Sequence, residues 1–548
     1  MSSNPTLTRF FTTQALRLTP LTPIHIGCGI DFEPTNYVID EGVLYHFDPA
    51  QVPLKPQDRK ALIDAANDKR AALSCIQGFF HDRRDTYAAH ARQVVAVAAG
   101  VAEQHGRRIR QIAQREANGR NVINLLEVER TMHHPHSGAP YLPGSSLKGA
   151  MRTAWLDQIN DGRARRDAYE KAQQMEQRLL DGSFHTDPFR LVDVADAGGE
   201  QVLSKVYFST NHKKKRVLDK DGVERQGQGL ATRRETIVGG QYAALTGDLR
   251  LDLLPGQGRS DKVPGQRIEP KALAAACNRY YVQRLAKLLA LLEQRGFASP
   301  EWCTGVRRLL AALRPAFERG DAFLLRVGRH SGAEAVTLDG VRRISVMQGK
   351  DERGRNQYKD MDEATTIWLA AERENITRGD LLPFGWLLVE HADAPEIPAL
   401  REWCDRQPKP DLGAIQAKLD GARAQAEAEA ARAAQEQAAR EAEKAEAARI
   451  AAEKEAARLQ LTPNRQDVEA LAEALRASVV ALRGGKVKAN TELHARTRAL
   501  VKRALAEGWP LTERSVLADM LTQELPKAVQ IDNWKDERKK LQLAQLCA

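Results

Sequence analysis

Pro140-Tyr141-Leu142-Pro143-Gly144-Ser145-Ser146-Leu147-Lys148-Gly149-Ala150-Met151-Arg152 is the stretch on which the reading of this chain turns. A Pro-Gly turn breaks the preceding segment. Two hydroxyls and a run of helix formers follow, which predicts a helix opening here and continuing to about residue 180. A Ser at such a start caps the helix and leaves backbone N–H groups directed outward. Those donors, the helix dipole and the side chains of Lys148 and Arg152, which share one helix face, all favour an anion. The plainer reading is a capped surface helix that is basic by chance. The G-x-x-x-x-G-K-[ST] spacing of a nucleotide-binding loop is absent, so nucleotide hydrolysis is not expected. The donors suit RNA phosphates, which position a strand without reading its sequence.

The 548 residues suffice for several domains, and 42% hydrophobic content supports sizeable cores. The formal net charge of +10 is consistent with a polyanionic partner. Aromatic content of 5% argues against a stacking platform along the whole chain but leaves room for a few stacking side chains. Six scattered cysteines, with no C-x-x-C pair, argue against a disulfide scaffold or a cysteine zinc site and fit a reducing cytosol. Met1–Pro5 lack the basic and apolar regions of a signal peptide, and no run is apolar enough to span a membrane. The expected location is the cytoplasm, with no membrane partner.

Working outward from the motif, Leu16-Arg17-Leu18 and Ile24-His25-Ile26 alternate as half-buried strands do. Tyr37–Ile39 and Val43–Phe47 flank Asp40-Glu41-Gly42, a hairpin signal. Residues 57–130 are rich in Ala, Arg, Gln and Glu and read as two or three inserted helices. Strand character returns at Arg190–Val194, Val206–Phe208 and Leu249–Leu253, with a basic hairpin or loop across Lys213–Arg216 and the Gly-rich stretch 218–230. Residues 270–320 look helical, and Phe323–Gly328 and Trp386–Glu390 read as strands. Strand–helix–strands, twice, predicts an α+β protein of two units with antiparallel sheets. From 413 to about 461 Ala, Glu, Arg, Gln and Lys dominate, a long helix with a weak heptad seam, suited to a solvated spacer. Residues 462–548 then read as an all-α domain of about four helices, with boundaries at Gly484-Gly485, Gly508-Trp509-Pro510 and Leu525-Pro526.

The opening stretch resembles the PGSSLKGxxR motif of the RAMP superfamily, the RNA-recognition-fold proteins of CRISPR–Cas effector complexes. Leu18-Thr19-Pro20-Leu21-Thr22-Pro23-Ile24-His25-Ile26-Gly27-Cys28-Gly29, with Tyr37-Val38-Ile39-Asp40, resembles that superfamily's first strand and glycine loop. Asp187-Pro188-Phe189-Arg190 with Val192–Asp196, Arg326-Val327-Gly328-Arg329-His330-Ser331-Gly332 and Leu382-Pro383-Phe384-Gly385-Trp386 are further matches, in order, over roughly 14–390. The pairing is most similar to the type III-A (Csm) subunit that caps the guide RNA 3′ end. The resemblance implies two ferredoxin-like, RNA-recognition-type RAMP folds with helical insertions, here followed by an all-α extension. Expected domains are 1–200 (insertion about 57–130), 201–412 (insertion about 270–320), the linker 413–461 and the helical domain 462–548.

On this resemblance the RNA-binding residues are His25 and Gly27, then Gly144, Ser145, Ser146, Lys148 and Arg152, then Lys213, Lys214, Lys215 and Arg216, and finally Arg326, Gly328, Arg329, His330 and Ser331. In the family a hairpin placed like 213–216 crosses the guide–target duplex; a solvated loop is the plainer alternative. Glycines in the 326–332 loop let backbone approach a ligand. His133, His134 and His136 lack the further ligands zinc needs, so no metal and no cofactor is expected. Backbone subunits of these complexes cut target RNA with an Asp, but the aligned position here holds Asn36, with Asp31 and Glu33 as the nearby acids. No His or Lys partner for His25 is evident by spacing, so no catalytic residue is assigned. The expected role is a non-catalytic subunit that holds guide RNA (crRNA) near its target duplex. Its expected partners are the adjacent RAMP backbone subunit, other Csm subunits and host nucleases that trim the guide. The alternatives are a metal-independent endoribonuclease acting on guide precursor, or a target-slicing backbone subunit.

Overall fold

The computed structural model describes residues 11–548 apart from 69–70, 116–120, 168, 181–183, 219, 223, 225–226, 228–229, 253–263, 265–266 and 484. Met1–Pro5, Leu253, Gly484 and part of the Gly-rich stretch 218–230 therefore lie outside the described residues. The chain divides into two compact units, Met1–Arg423 and Ala424–Ala548.

The first sheet of the larger unit is built around Phe11–Pro20, whose Leu16 and Leu18 are fully buried. This strand pairs antiparallel with Leu245–Asp252 on one side and Trp386–His391 on the other. Val192–Val194 and Ala322–Arg326 form the edges. Chain order runs from the central strand through the motif helix Gly144–Asn160 to Val192–Val194, then Leu245–Asp252. From there it passes through the helices Pro270–Arg295 and Pro300–Arg319 to Ala322–Arg326 and, at the end, Trp386–His391. Leaving aside the edge strand Ala322–Arg326, that is the split β-α-β order of a ferredoxin-like sheet. Leu147, Ala150, Met151 and Ala154 line one face of the motif helix at helical spacing and are buried. The Tyr281 hydroxyl, from the helix Pro270–Arg295, donates to the Ala150 carbonyl at 3.1 Å and ties the two helices together.

Among the described residues the second sheet has nine strands and centres on Ser204–Lys213, which pairs antiparallel with Thr232–Ile237 and Thr366–Ala371 and parallel with Gln93–Val97. A second parallel pairing joins Thr232–Ile237 to Val128–Thr131, so this sheet is mixed where antiparallel pairing is expected from the sequence. Its outer hairpin, Tyr37–Asp40 and Val43–His46, turns through Glu41 (φ 44°) and Gly42 (φ 76°), the two positive φ values of a tight two-residue turn. Each sheet takes strands from both sides of residue 200, so strand pairing does not separate 1–200 from 201–412.

The insertion at 57–130 contains the expected helices Pro56–Ala66, Ala72–Asp82 and Arg84–Ala89, but also the wholly buried strand Gln93–Val97 and a further helix, Ala99–Arg108. Ile24–Ile26 form no strand; Ile24 makes a single bridge to Ile237. The motif helix stops at Asp161, which is left-handed (φ 49°) and followed by Gly162, short of the expected 180; a separate helix covers Ala172–Leu179.

The linker is one helix, Gly413–Leu459. Its first turns bury Leu419 with Leu412 against Val43, Ala91 and Val94, and most of the remainder is exposed. The smaller unit packs Pro463–Ala481, Glu492–Ala506 and Leu511–Ala528 around Leu471, Leu475, Val501, Leu517 and Leu521, closed by the short helices Trp534–Lys540 and Leu543–Leu546. Pro526 sits inside the last turn of Leu511–Ala528, so it marks no boundary.

Candidate nucleic-acid interface

The N-terminus of the motif helix is built differently from the expected Ser cap. Pro143 is the extended cap residue, with no capping side chain, and Gly144 opens the helix. The Gly144 N–H donates to the Asp196 carboxylate at 2.7 Å. A carboxylate thus sits at the positive end of the helix dipole, where a phosphate is expected. Gly144 is needed for close approach: a Cβ there would lie 1.9 Å from the Val194 carbonyl oxygen. Ser145 is exposed, Ser146 and Lys148 are half-buried, and Lys148 makes no ion pair among the described residues.

Arg152 is engaged inside the protein. Its guanidinium donates to Asp187 at 2.6 Å and Glu176 at 2.9 Å and lies over the Phe189 ring. Asp187 also accepts from the Phe189 N–H, so the Asp187–Arg190 segment is a clamp for the motif's arginine. Two single substitutions separate these roles. Arg152→Glu places a third carboxylate beside two others and lowers stability by about 2 kcal/mol or more. Lys148→Glu changes it by less than about 0.5 kcal/mol. Urea unfolding of each variant is the check.

His25 is fully buried. Its Nδ1–H donates to the Glu235 carbonyl at 2.7 Å, and Nε2 faces the Arg234 guanidinium at 3.4 Å. Burial, with Arg234 and Arg329 nearby, lowers its pKa to about 4, so it stays neutral. Its own carbonyl accepts the Arg329 N–H at 2.8 Å. Gly328 (φ 80°) packs so closely that a Cβ would lie 2.4 Å from that oxygen. The segment leading into the Gly27 loop and the 326–332 loop are therefore joined backbone to backbone, and Gly27 itself is exposed.

Within the 326–332 loop the side chains point to different places. Arg326 is buried, donates to the Phe384 carbonyl at 3.0 Å and lies over Trp386. The Ser331 hydroxyl is turned back onto the Gly328 carbonyl. Arg329 is exposed. His330 (φ 65°) stacks on Trp368 with ring centroids 4.7 Å apart and an interplanar angle of 22°. Burial, with Arg234 and Arg329 nearby, lowers the His330 pKa to about 3.

Burial also lowers His46 and His212 to about 4. For these bases the folded pKa lies below the unfolded one. Their stabilising contribution is present above about pH 6.5 and is lost as pH falls toward about 4. The buried Glu235, raised to about 7 by burial, acts in the opposite direction between about pH 4.5 and 7. Asp157 and Glu390, also raised by burial, act with Glu235, while His105, lowered to about 3 by burial, joins His25, His46, His212 and His330 against them. The melting temperature is therefore expected to fall as pH is lowered from about 6.5 to 4; a scanning-calorimetry pH series tests this.

Two grooves flank the 326–332 loop. One, of about 890 Å³, brings Lys214, Lys215 and Arg216 together with Arg326, His330 and Trp368. Its far wall is the helix Pro270–Arg295, which contributes Arg284, Lys287 and Arg295. Glu334 and Glu363 are the acids in its lining. Some of this charge is spent: Lys214 pairs with Glu334 at 2.6 Å, Arg216 with Glu224 at 3.7 Å and Arg284 with Asp339 at 2.9 Å. Lys215 and Lys287 are exposed and make no ion pair among the described residues. Lys213, half-buried, ends its strand opposite Thr366.

The other groove, of about 1340 Å³, is lined by Gly27, Gly29 and Arg329 but also by Asp31, Glu127 and Glu129. With Glu374, these acids offset the groove's Arg108, Arg130, Arg233 and Arg329, so it attracts a polyanion less than the first does; burial and the neighbouring carboxylates raise the pKa of Asp31 and of Glu127. Residues 144–152 line neither groove. Asn36 is occupied in a turn, its side-chain oxygen accepting the Glu33 N–H at 3.0 Å. His134 stacks on Tyr141, His133 contacts the Thr131 carbonyl, and no metal-type cluster of three ligands occurs among the described residues. Sequence reasoning passed over Trp368, Lys287 and Arg295. The signal for Trp368 is its place in Thr366-Ile367-Trp368-Leu369, where the buried Ile367 and Leu369 alternate with it.

The chain is similar to a chain of the cryo-EM structure of a Csm–crRNA–target RNA ternary complex in a type III-A CRISPR–Cas system. The two share 15% identity over 69% of this chain and 100% of that one, with a TM-score of 0.41. The crystal structure of T. onnurineus Csm5 is also similar, at 15% identity over 68% of this chain and 99% of that one, with a TM-score of 0.37. No curated protein matches the chain. The RAMP superfamily model matches residues 17–297, just over half of the 548, spanning the central strand, the glycine loop, the motif helix and most of the second sheet. The chain belongs to the RAMP superfamily.

Proposed function

We propose that this protein is a non-catalytic, guide-RNA-binding subunit of a cytoplasmic type III-A CRISPR interference complex, seated at the guide 3′ end beside the last backbone RAMP subunit. The observation that carries RNA binding is the cleft in which Lys214–Arg216, the 326–332 loop and Trp368 meet. Cations at its rim suit phosphates and an aromatic ring suits a base. The 3′ position rests on the motif resemblance set out above. In that seat the subunit would leave the guide tail open to trimming by host nucleases and would set complex length.

The absence of catalysis is read from two residues. His25 is buried with its Nδ1 proton committed to a carbonyl, and Asn36 offers an amide where a carboxylate would act. Purified protein is expected to leave repeat RNA intact in EDTA; cleavage that disappears in His25→Ala would replace this reading with a processing endoribonuclease. The capping role predicts that complexes assembled without this subunit carry fewer guides of mature length. Unaltered guide lengths and occupancy would reject it.

A further inference from the structure

We infer that the C-terminal helical domain carries a second RNA-binding face, distinct from the cleft, which takes the sugar–phosphate backbone of single-stranded RNA. Residues 462–548 hold 15 Lys and Arg against 11 Asp and Glu, and the fold distributes them unevenly. Some of the charges are matched within the domain: Arg503 pairs with Asp467 and Glu507, and Arg476 with Glu469 and Glu524.

Elsewhere in the domain two basic segments far apart in sequence are tied together. Val487 bridges in parallel to Val529, with the Val487 N–H on the Ala528 carbonyl at 2.8 Å and the Gln530 N–H on the Val487 carbonyl at 2.7 Å. The Asn490 N–H donates to His494 Nδ1 at 3.0 Å, and His494 Nε2 meets Glu537 at 3.0 Å. These contacts hold the turn bearing Lys486 and Lys488 against the helix Trp534–Lys540. In that helix Glu537 faces inward, while Lys535, Arg538 and Lys539 are exposed.

None of these five cations makes an ion pair among the described residues. Glu537 is already bound by His494 and Arg498; Asp536, hydrogen-bonded by the Asn533 amide, is a nearby exposed acid together with Glu492 and Asp532, three acids beside five cations. No exposed large apolar side chain falls within 483–490 or 535–540, although Val480 and Leu482 precede the turn. A protein partner needs an apolar centre in its contact; a phosphate backbone needs only cations that can follow it.

The test uses the full chain with Lys486→Glu, Lys488→Glu, Lys535→Glu and Lys539→Glu combined, titrated against fluorescent poly-U single-stranded RNA across a salt series. Affinity is expected to fall at least about ten-fold near 100 mM salt, and the log–log salt slope to lose about 2 to 3, at about 0.7 per phosphate contact. The same four positions changed to Gln should give a smaller loss of the same sign, with an unchanged circular-dichroism melt showing that the fold persists. Unchanged affinity and slope in the reversed-charge variant would overturn the proposal, as would equal competition by polyglutamate. A Lys215→Glu, Lys287→Glu variant measured in parallel keeps the two sites apart: RNA lost there but retained in the C-terminal variant removes this face and leaves the cleft standing.

Discussion

Reversing Lys215 and Lys287 together, Lys215→Glu with Lys287→Glu, lowers affinity for single-stranded RNA by roughly ten-fold or more near 100 mM salt. It also flattens the log–log salt slope by about 1.4, since each lost phosphate contact removes about 0.7. Both side chains are exposed at the rim of the cleft, and neither is held by a carboxylate among the described residues. Stability should move by less than about 0.5 kcal/mol, so the loss reads as binding. The neighbouring Arg284 is the contrast: it lies over the Tyr280 ring and pairs with Asp339, so replacing it tests packing before it tests RNA. Fluorescence anisotropy across a salt series decides. An unchanged slope would mean that the cleft does not meet phosphate.

Gly144→Ala is the second large effect. A methyl group built there overlaps the Val194 carbonyl oxygen at 1.9 Å, and both groups are backbone-bound in regular elements. Either the motif helix moves away from the edge strand or Val192–Val194 leaves the sheet. The expected cost is about 3 kcal/mol or more, lowering the melting temperature by several degrees. Gly149→Ala, five residues on, meets nothing within 4 Å and should be neutral or slightly stabilising. A motif glycine conserving anion contact alone would give no such asymmetry between two thermal melts.

What the sequence made legible was local. Leu16 and Leu18 mark the central strand, Glu41-Gly42 the hairpin turn, and residues 270–320 the two long helices. Gln93–Val97 went unread because four apolar residues inside an Ala- and Arg-rich tract fit a buried helix as well as a buried strand. The sharing of both sheets across residue 200 is a matter of non-local pairing, which no local period carries.

The site shows the same division. Arg152 and Arg326 read in sequence like cations offered to RNA. The first is held by Asp187, 35 residues on, and the second by the Phe384 carbonyl, 58 residues on. Charge is visible in a sequence; the partner that consumes it is not. Conversely, the meeting of 214–216 with 326–332 across one cleft rests on the pairing of Ser204–Lys213 with Thr366–Ala371, which also delivers Trp368 beside His330.

The most direct test of the account is to purify the tagged protein with its genomic neighbours, irradiate it, sequence the RNA it carries and map the crosslinked residues. The account predicts short guide RNAs whose 3′ part is crosslinked at the cleft, near Lys215, His330 and Trp368. Crosslinks across uncut repeat RNA, or a complex that carries no RNA, would contradict it.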